Sequence, residues 1–194
     1  MKRVEFYFDY ISPYAYLAFR ALNRLPANVE VKLKPVVVGA LMQAHGIRFP
    51  VDVPLKHDYS KRHCQWLAAK RMTPFKIPSQ HPFNSIPLLR LTLLAQTARG
   101  VVDDCFRFVW TEGHTPADEA QFEALIARVA DRVNMPASLL REQLNADPIK
   151  AELKLQTQAA AELGLFGTPI FMYNGKAYFG QDSMEMLTAD INAS

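Results

Sequence analysis

Residues 12–15, Ser12-Pro13-Tyr14-Ala15, stand where an aromatic-rich stretch gives way to a helical pattern. Two cysteines at this spacing at the start of a helix are typical of proteins that exchange thiols and disulfides. Here the first sulfur position carries the hydroxyl of Ser12, and the second carries the methyl of Ala15. A serine hydroxyl at a helix N-terminus can cap the helix, and it can also hydrogen-bond a bound anion.

The segment from 56 to 76 is rich in basic residues. Against one acidic residue, Asp58, it contains Lys56, Lys61, Arg62, Lys70, Arg71 and Lys76. Such a run is either a solvated helix face or a rim that attracts a small anionic ligand. The net charge of the whole chain is only +3, which is too small to indicate binding to nucleic acid.

Metal binding and dithiol chemistry are not indicated. The only cysteines, Cys64 and Cys105, lie far apart and form no Cys-x-x-Cys pair. His57, His63 and Cys64 are close in sequence, but their spacing matches no zinc motif. The other three histidines show no partner pattern: His45, His81 and His114. We therefore predict no metal site and reduced thiols.

The chain shows no sign of export or of a membrane span. Its first ten residues lack the apolar core of a secretory signal. No run of about 18 apolar residues could cross a bilayer. The sequence therefore predicts a soluble, cytoplasmic protein.

The apolar pattern predicts the elements that would place Ser12 at a strand-to-helix junction. Residues 3–9 are aromatic and apolar enough for a buried strand. Pro13 suits the first turn of a helix, which continues until Pro26 ends it. Residues 29–38 alternate apolar and polar at first and predict a second strand. This β-α-β opening implies parallel strands with a right-handed crossover.

From about residue 40 to 163 the pattern is helical, and strands return afterwards. The predicted helices span 56–71, 86–99, 101–112, 118–133, 136–145 and 148–163. Two strands follow at 169–173 and 176–179, joined by an Asn-Gly turn, and a last helix covers about 182–191. Because neither terminal piece could bury a sheet alone, we predict an α/β fold. Residues 1–39 and 164–194 would form one domain, and 40–163 an inserted, all-helical domain.

This arrangement resembles a thioredoxin fold, and its large helical insertion resembles the DsbA-like branch of that fold. Within the branch, FDYISPYAYLA around Ser12 is similar to the kappa-class glutathione transferases and most closely to the 2-hydroxychromene-2-carboxylate isomerases. Related segments follow in the same order along essentially the whole chain: KHDY (56–59), FN (83–84), VWTEG (109–113), FGTP (166–169) and FGQDSMEML (179–187).

The resemblance implies that Ser12 stabilises the thiolate of bound glutathione. Lowering a thiol pKa of about 8.5 by about 2 requires roughly 2.7 kcal/mol. One charge-assisted hydrogen bond from Ser12 supplies about 1.5–3 kcal/mol, and the helix N-terminus adds about 0.3–1 kcal/mol. Ala15 is compatible with this role because no disulfide has to be resolved. The alternative is that Ser12 only caps the helix.

The resemblance also implies the residues that bind glutathione. The Thr168-Pro169 bond should be cis, and the backbone before the proline should pair with the cysteinyl backbone of glutathione. Asp182 should bind the ammonium of the γ-glutamyl group. Ser183 and the helix N-terminus should bind its carboxylate. The contact of Gln181 is open, because relatives often carry Asn at this position. Alternatively, Pro169 simply begins a strand. Asp182 could also cap a helix, which is compatible with a role in binding.

Further positions are implied for a carboxylate of glutathione and for the substrate. Lys56 would contact the carboxylate, unless it is an ordinary solvated lysine. Four residues would line the substrate pocket: Tyr14, Arg48, Asn84 and Trp110. Asn84 could instead cap a helix, and Trp110 could belong to the core.

The resemblance therefore implies a glutathione-dependent cis-trans isomerase that acts on a small aromatic carboxylate. The thiolate would add to a 2-hydroxychromene-2-carboxylate-type substrate, allow bond rotation and leave again, so glutathione would be a cofactor. Relatives of this kind are usually homodimers. One alternative is a kappa-like glutathione transferase or peroxidase, and another is a non-catalytic thioredoxin-fold binding module.

Overall fold

A computed structural model of the chain describes residues 2–194. Its four strands form one sheet in the order β2-β1-β3-β4. These strands are β1 (Lys2–Phe8), β2 (Val29–Pro35), β3 (Ile170–Tyr173) and β4 (Lys176–Phe179). Strand β1 pairs parallel with β2 and antiparallel with β3, which pairs antiparallel with β4. The predicted β-α-β and β-β-α halves therefore share one sheet, as a thioredoxin fold requires.

Nine helices lie within the described residues, and seven of them separate β2 from β3. They are α1 (Pro13–Ala21), α2 (Val38–Ala44), α3 (Pro54–Lys70), α4 (Ile86–Leu94), α5 (Arg99–Trp110), α6 (Glu119–Val133), α7 (Ala137–Gln143), α8 (Asp147–Glu162) and α9 (Met184–Ala193). Short 3-10 turns occupy Leu22–Arg24 and Pro50–Asp52. The predicted helical insertion is confirmed, since every described strand lies before residue 36 or after residue 169. No helix between residues 2 and 194 has the length and apolarity to cross a membrane.

Two predicted boundaries were wrong. The strand expected over 29–38 ends at Pro35, because the N–H groups of Val37 and Val38 bind the side chains of Thr157 and Asp9 instead of a neighbouring strand. The helix expected over 86–99 ends at Leu94, and residues 96 and 97 adopt left-handed backbone angles with φ of 52° and 53°.

One apolar core joins the sheet to the inserted helices. Phe106 of α5 packs against Phe8, Tyr10 and Phe19, with ring centroids 5.5, 4.7 and 5.1 Å away. Alternate residues of β1 face the opposite side, where Tyr7 joins a smaller cluster. Helix α2 begins at Val38, before the predicted boundary at 39/40, and both predicted domains share one core. The division into domains at 39/40 and 163/164 stays a prediction.

Candidate active site

Ser12 is the N-cap of α1, at the carboxyl end of β1. Its Oγ accepts a hydrogen bond from the Ala15 N–H at 3.2 Å. The same hydroxyl donates to the Thr168 carbonyl at 3.4 Å. That second contact is longer than the usual 2.5–3.0 Å or so for an O–H···O bond. Capping is thus certain, while the hydroxyl proton is only weakly engaged and free to turn toward another acceptor.

The buried Asp9 carboxyl shapes the turn that leads to Ser12. Its Oδ1 accepts from the Ile11 N–H at 3.2 Å, and its Oδ2 accepts from the Val38 N–H at 2.9 Å. The Asp9 carbonyl accepts from the Ser12 N–H at 3.1 Å. Burial raises the pKa of Asp9, against the opposing effect of a hydrogen bond from Ser85. Asp9 therefore ties the β1–α1 turn to the start of α2.

The loop opposite Ser12 contains the cis Thr168–Pro169 peptide bond, as predicted. The carbonyl of Thr168 faces the Ser12 hydroxyl. The carbonyl of Pro169 accepts from the Gly180 N–H at 2.9 Å, which links this loop to the end of β4. The Thr168 Oγ1 is buried and has no hydrogen-bond partner within residues 2–194. An unpaired buried hydroxyl of this kind is costly and marks a place where a ligand can complete the hydrogen bonding.

The loop from 180 to 183 follows β4 and brings three predicted residues next to the cis-proline loop. Gly180 has a φ of 93°, and a Cβ there would lie 2.5 Å from Asp182 Oδ1, so only glycine suits the position. Ser183, rather than Asp182, is the N-cap of α9, and its Oγ donates to the Gly180 carbonyl at 2.8 Å. The alternative role of Asp182 as a helix cap is therefore wrong, and its exposed carboxylate is available to a ligand.

Arg71, which sequence analysis named only as a member of the basic run, belongs to the same loop cluster. Its guanidinium donates from Nη2 to Gln181 Oε1, while its Nη1 is buried without a partner in the described residues. Gln181 itself is 7% exposed. Burial lowers the pKa of Arg71, as does the nearby Arg24, whereas Asp182 opposes them. A cation and an anion thus flank the buried Gln181 amide.

Three residues predicted on the side of the insertion lie on its surface. Lys56 is exposed in the first turn of α3 and forms no ion pair with any residue from 2 to 194. Arg48 is exposed and donates to the Asp52 carbonyl at 3.3 Å. Asn84 is exposed, and its Oδ1 accepts from the Ile86 N–H at 3.1 Å. The N-cap of α4 is Ser85, so the alternative role of Asn84 as that cap is wrong.

Trp110 lies in the core rather than on an open wall. Its side chain is 1% exposed, and its Nε1 donates to the Tyr10 carbonyl at 2.8 Å. Phe75 stacks on its ring with centroids 5.6 Å apart. This position matches the alternative interpretation of Trp110 as a core residue.

The aromatic surface near Tyr14 lies on α3 instead. The Tyr14 hydroxyl is 3.0 Å from His63 Nδ1, and burial, together with a smaller effect of Cys64, raises the pKa of Tyr14 to about 12. The His63 ring stacks with Tyr59 and Trp66, at centroid distances of 5.5 and 6.0 Å. Tyr59 and Trp66 are 55% and 56% exposed, so this helix face is open to a planar ligand.

A pair of histidines that the sequence did not indicate also reaches the Ser12 turn. His81 Nδ1 lies 3.2 Å from His57 Nε2, and His81 Nε2 lies 2.9 Å from the carbonyl of Ile11. The two histidines are 24 positions apart, in a helix and in a loop. No sequence spacing could have paired them.

The cysteines offer no reactive thiol to this site. Both are buried and free, and burial raises the pKa of each thiol to about 12. Within residues 2–194, no three His, Cys, Asp or Glu side chains are grouped as metal ligands.

Two cavities lie among the inserted helices, and neither includes Ser12. One of about 270 Å³ is lined by residues that include Arg90, Phe122 and Arg141. The other, of about 360 Å³, lies between α2, α4 and α8 and is mainly apolar.

A thioredoxin sheet with a helical insertion, a cis-proline loop and a serine at the active-site position together define a thioredoxin-fold protein that lacks the redox dithiol. A model of the DSBA-like thioredoxin domain matches residues 3–192, and the chain belongs to this family.

Relatives with named activities match almost the whole chain. Glutathione S-transferase kappa 1 of Rattus norvegicus is 26% identical over 199 residues, covering 95% of this chain and 88% of that protein. The 2-hydroxychromene-2-carboxylate isomerase of Pseudomonas sp. (strain C18) is 27% identical over 190 residues, covering 95% and 87%. A solved structure of 2-hydroxychromene-2-carboxylate isomerase has a TM-score of 0.88 at 26% identity, covering 98% and 95%. The chain is thus similar to enzymes of both kinds.

Proposed function

We propose that this protein is a glutathione-dependent isomerase that acts on 2-hydroxychromene-2-carboxylate-type aromatic carboxylates. The observation that carries the proposal is the Ser12 hydroxyl at the N-terminus of α1, which faces the Thr168 carbonyl where a redox protein would carry a cysteine. Similarity to enzymes of that name along most of the chain supports it. When bound, glutathione would supply a thiolate nucleophile.

The role of Ser12 is to keep that sulfur ionised. Its hydroxyl proton is held by the Thr168 carbonyl only at 3.4 Å, so donation to a nearby sulfur costs little. One such bond to an anion contributes about 1.5–3 kcal/mol, and the helix N-terminus adds about 0.3–1 kcal/mol. Together these contributions match the roughly 2.7 kcal/mol needed to lower a thiol pKa by about 2.

Thr168 would bind the backbone of the cysteinyl residue. Its main chain lies beside Ser12, next to the start of β3, where an extended peptide can add hydrogen bonds as a strand does. The unpaired Oγ1 of Thr168 provides one further donor or acceptor.

The head of the γ-glutamyl residue carries both an ammonium and a carboxylate, and the loop after β4 offers a partner of each charge. Asp182 would accept from the ammonium. Arg71, together with Ser183 and the N-terminus of α9, would bind the carboxylate. Gln181 holds the Arg71 guanidinium in place between them.

The insertion would supply the other contacts. Lys56, which lacks an ion pair within the described residues, would meet a carboxylate of glutathione. Tyr14, Arg48 and Asn84 remain our candidates for the substrate. Since Trp110 is buried, we propose that the exposed face of Tyr59 and Trp66 provides aromatic contacts in its place.

Calorimetric titration with glutathione tests the proposal, followed by an assay of 2-hydroxychromene-2-carboxylate with and without glutathione. We expect binding, and turnover that depends on glutathione while glutathione is recovered unchanged. The absence of binding, or turnover without glutathione, would contradict the proposal.

A second candidate function is a kappa-like glutathione transferase. The similar match to rat glutathione S-transferase kappa 1 favours it. The two functions differ in the fate of the sulfur. Mass spectrometry of the products would find a glutathionyl adduct for a transferase and none for an isomerase.

The resemblance also supports a homodimer in the cytoplasm. Light scattering of the purified protein tests the first of these, with twice the chain mass as the expected result. A monomer would contradict it.

A further inference from the structure

His81 lies in the loop between α3 and α4, half-buried against the aromatic residues of the core. Its ring meets the edge of Trp110 at a centroid distance of 5.4 Å and lies 6.3 Å from Phe83. Both ring nitrogens have partners, since Nε2 lies 2.9 Å from the Ile11 carbonyl and Nδ1 lies 3.2 Å from His57 Nε2. The ring is therefore fixed both by packing and by hydrogen bonding.

These two contacts determine where the protons are. A carbonyl can only accept, so His81 must carry its proton on Nε2. A neutral His81 then presents a lone pair on Nδ1, and His57 donates its Nε2–H to it. Burial lowers the pKa of His81 against the opposing effect of the bond to Ile11, with smaller lowering contributions from His57 and Lys61, so the neutral form is favoured. His57 thus reinforces the tautomer that the Ile11 carbonyl requires of His81.

Ile11 is the residue immediately before Ser12, and both of its backbone polar groups are held by side chains. Its N–H donates to Asp9 Oδ1, and its carbonyl accepts from His81. The Asp9 contact comes from the same turn, whereas the His81 contact comes from the inserted helical segment. His81 therefore links the Ser12 turn to the insertion at the residue next to Ser12, beside the bond that Trp110 Nε1 donates to the Tyr10 carbonyl.

We propose that His81, oriented by His57, is a positioning residue that fixes the Ile11 carbonyl and thereby the direction of the Ser12 hydroxyl. The consequence for glutathione rests on the proposed function, because it acts through Ser12. The tautomer and the hydrogen bond to Ile11 do not depend on any ligand.

The first test compares His81→Phe with His81→Gln, which can still donate an N–H from nearly the position of Nε2. A displacement of a binding group by about 1 Å can cost as much as a hundredfold, so we expect glutathione to bind about 5- to 10-fold more weakly to His81→Phe. The pKa of the bound thiol should also rise. His81→Gln should restore the glutathione affinity to within about twofold of the wild type and return the pKa of the bound thiol to the wild-type value. The exposed His45, as His45→Gln, is the matched control and should change neither.

The second test uses His57→Phe, which leaves His81 and its packing in place and so guards against a failure of His81→Phe to fold. Nitrogen NMR of labelled histidine, on protein without glutathione, reports the tautomer of His81. The wild type should have its proton on Nε2. In His57→Phe only the Ile11 carbonyl still favours that tautomer, so its share should fall and glutathione should bind about two- to threefold more weakly.

Two results would overturn the inference. One is a wild-type His81 protonated on Nδ1 alone, which could not donate to Ile11. The other is a folded His81→Phe protein that binds glutathione with unchanged affinity and an unchanged thiol titration. If the wild type bound no glutathione at all, the proposed function would fail instead. The His81 tautomer, together with the hydrogen exchange of the Ser12 amide in His81→Phe, would then decide the structural role.

Discussion

The thioredoxin half and the helical insertion contribute different kinds of residues to the candidate site. In the thioredoxin half, Ser12, Thr168 and Gln181 lie on loops that hydrogen bonds fix to one another or to a neighbouring element. In the insertion, Lys56 and Arg48 are exposed long side chains with at most a local contact. The polar groups of the first region are in place before a ligand arrives, and so is Arg71 of the insertion, which Gln181 holds. Lys56 and Arg48 still have to be ordered.

This difference indicates that the two regions contribute differently to ligand binding. Groups that are already fixed lose little conformational entropy on binding. The thioredoxin half is therefore suited to a cofactor that is the same in every reaction. Free lysine and arginine side chains each lose up to about 2 kcal/mol of rotamer entropy when they are held. Contacts made by the exposed side chains of the insertion should therefore be weaker individually and easier to change for a different substrate.

The largest expected effect follows from removing the hydroxyl in the thioredoxin half. Ser12→Ala should raise the pKa of bound glutathione by about 1 to 2, through loss of one charge-assisted bond, and lower activity at neutral pH by roughly 10- to 100-fold. Stability should fall by only about 0.5–2 kcal/mol, the cost of a lost cap. Activity should recover partly as the pH rises.

A pH-rate profile measures the loss of activity of Ser12→Ala, and a thermal melt measures its loss of stability. Ser138→Ala, an exposed serine on α7, is the control and should behave as the wild type does. Full activity of Ser12→Ala with an unshifted thiol titration would reduce Ser12 to a helix cap.

The next effect concerns the charge pair around Gln181. Arg71→Gln should weaken glutathione binding about 10-fold or more, because a charge-assisted contact contributes about 1.5–3 kcal/mol. It should have no effect on 4-aminobutanoyl-Cys-Gly, which lacks the α-carboxylate of the γ-glutamyl group. Asp182→Asn should show the converse, with a loss for glutathione and none for glutaryl-Cys-Gly, which lacks the ammonium.

Calorimetry of each variant with each peptide measures directly the coupling between the mutated side chain and the charged group that the peptide lacks. Equal losses for glutathione and for its truncated analogue would mean that the residue supports the loop without touching the missing group. That result would remove Arg71 or Asp182 from the binding contacts while leaving Ser12 unaffected.

A smaller effect is expected at Lys56, an exposed residue of the insertion. Lys56→Gln should weaken glutathione binding by about two- to fivefold, because exposed ion pairs contribute about 0.2–1 kcal/mol. The loss should shrink as salt is added. Lys61→Gln, one turn further along α3, is the control, and an equal effect there would indicate general attraction by the basic run rather than a contact of Lys56.

The smallest effect is a pH dependence of stability. Burial lowers the pKa of His81 below the value of about 6.5 expected in the unfolded chain. Between these values the unfolded chain binds more protons, so the free energy of unfolding falls as the pH falls below about 6.5. His81→Gln should therefore lose less thermal stability between neutral and mildly acidic pH than the wild type does. His45→Gln should keep the wild-type slope, and an identical slope in His81→Gln would contradict the expectation.

The same contrast explains what the sequence could predict. Ser12, Thr168-Pro169 and the loop after β4 lie at strand ends, where short motifs determine the local geometry, so their mutual approach followed from the fold. The burial of Trp110 depends on how α5 packs against β1, and the partners of Arg71 and His81 lie 110 and 70 positions away. Contacts over such separations are set by the packing of helices and leave no periodic signal in the chain.

The central claim is that the Ser12 turn keeps bound glutathione ionised, and titration of the wild-type complex tests it most directly. The ultraviolet absorbance of the thiolate, followed against pH for bound and free glutathione in the same buffer, gives both pKa values. The account predicts that the bound thiol titrates about 2 below the free value of about 8.5. Coincident titration curves for bound and free glutathione would contradict it.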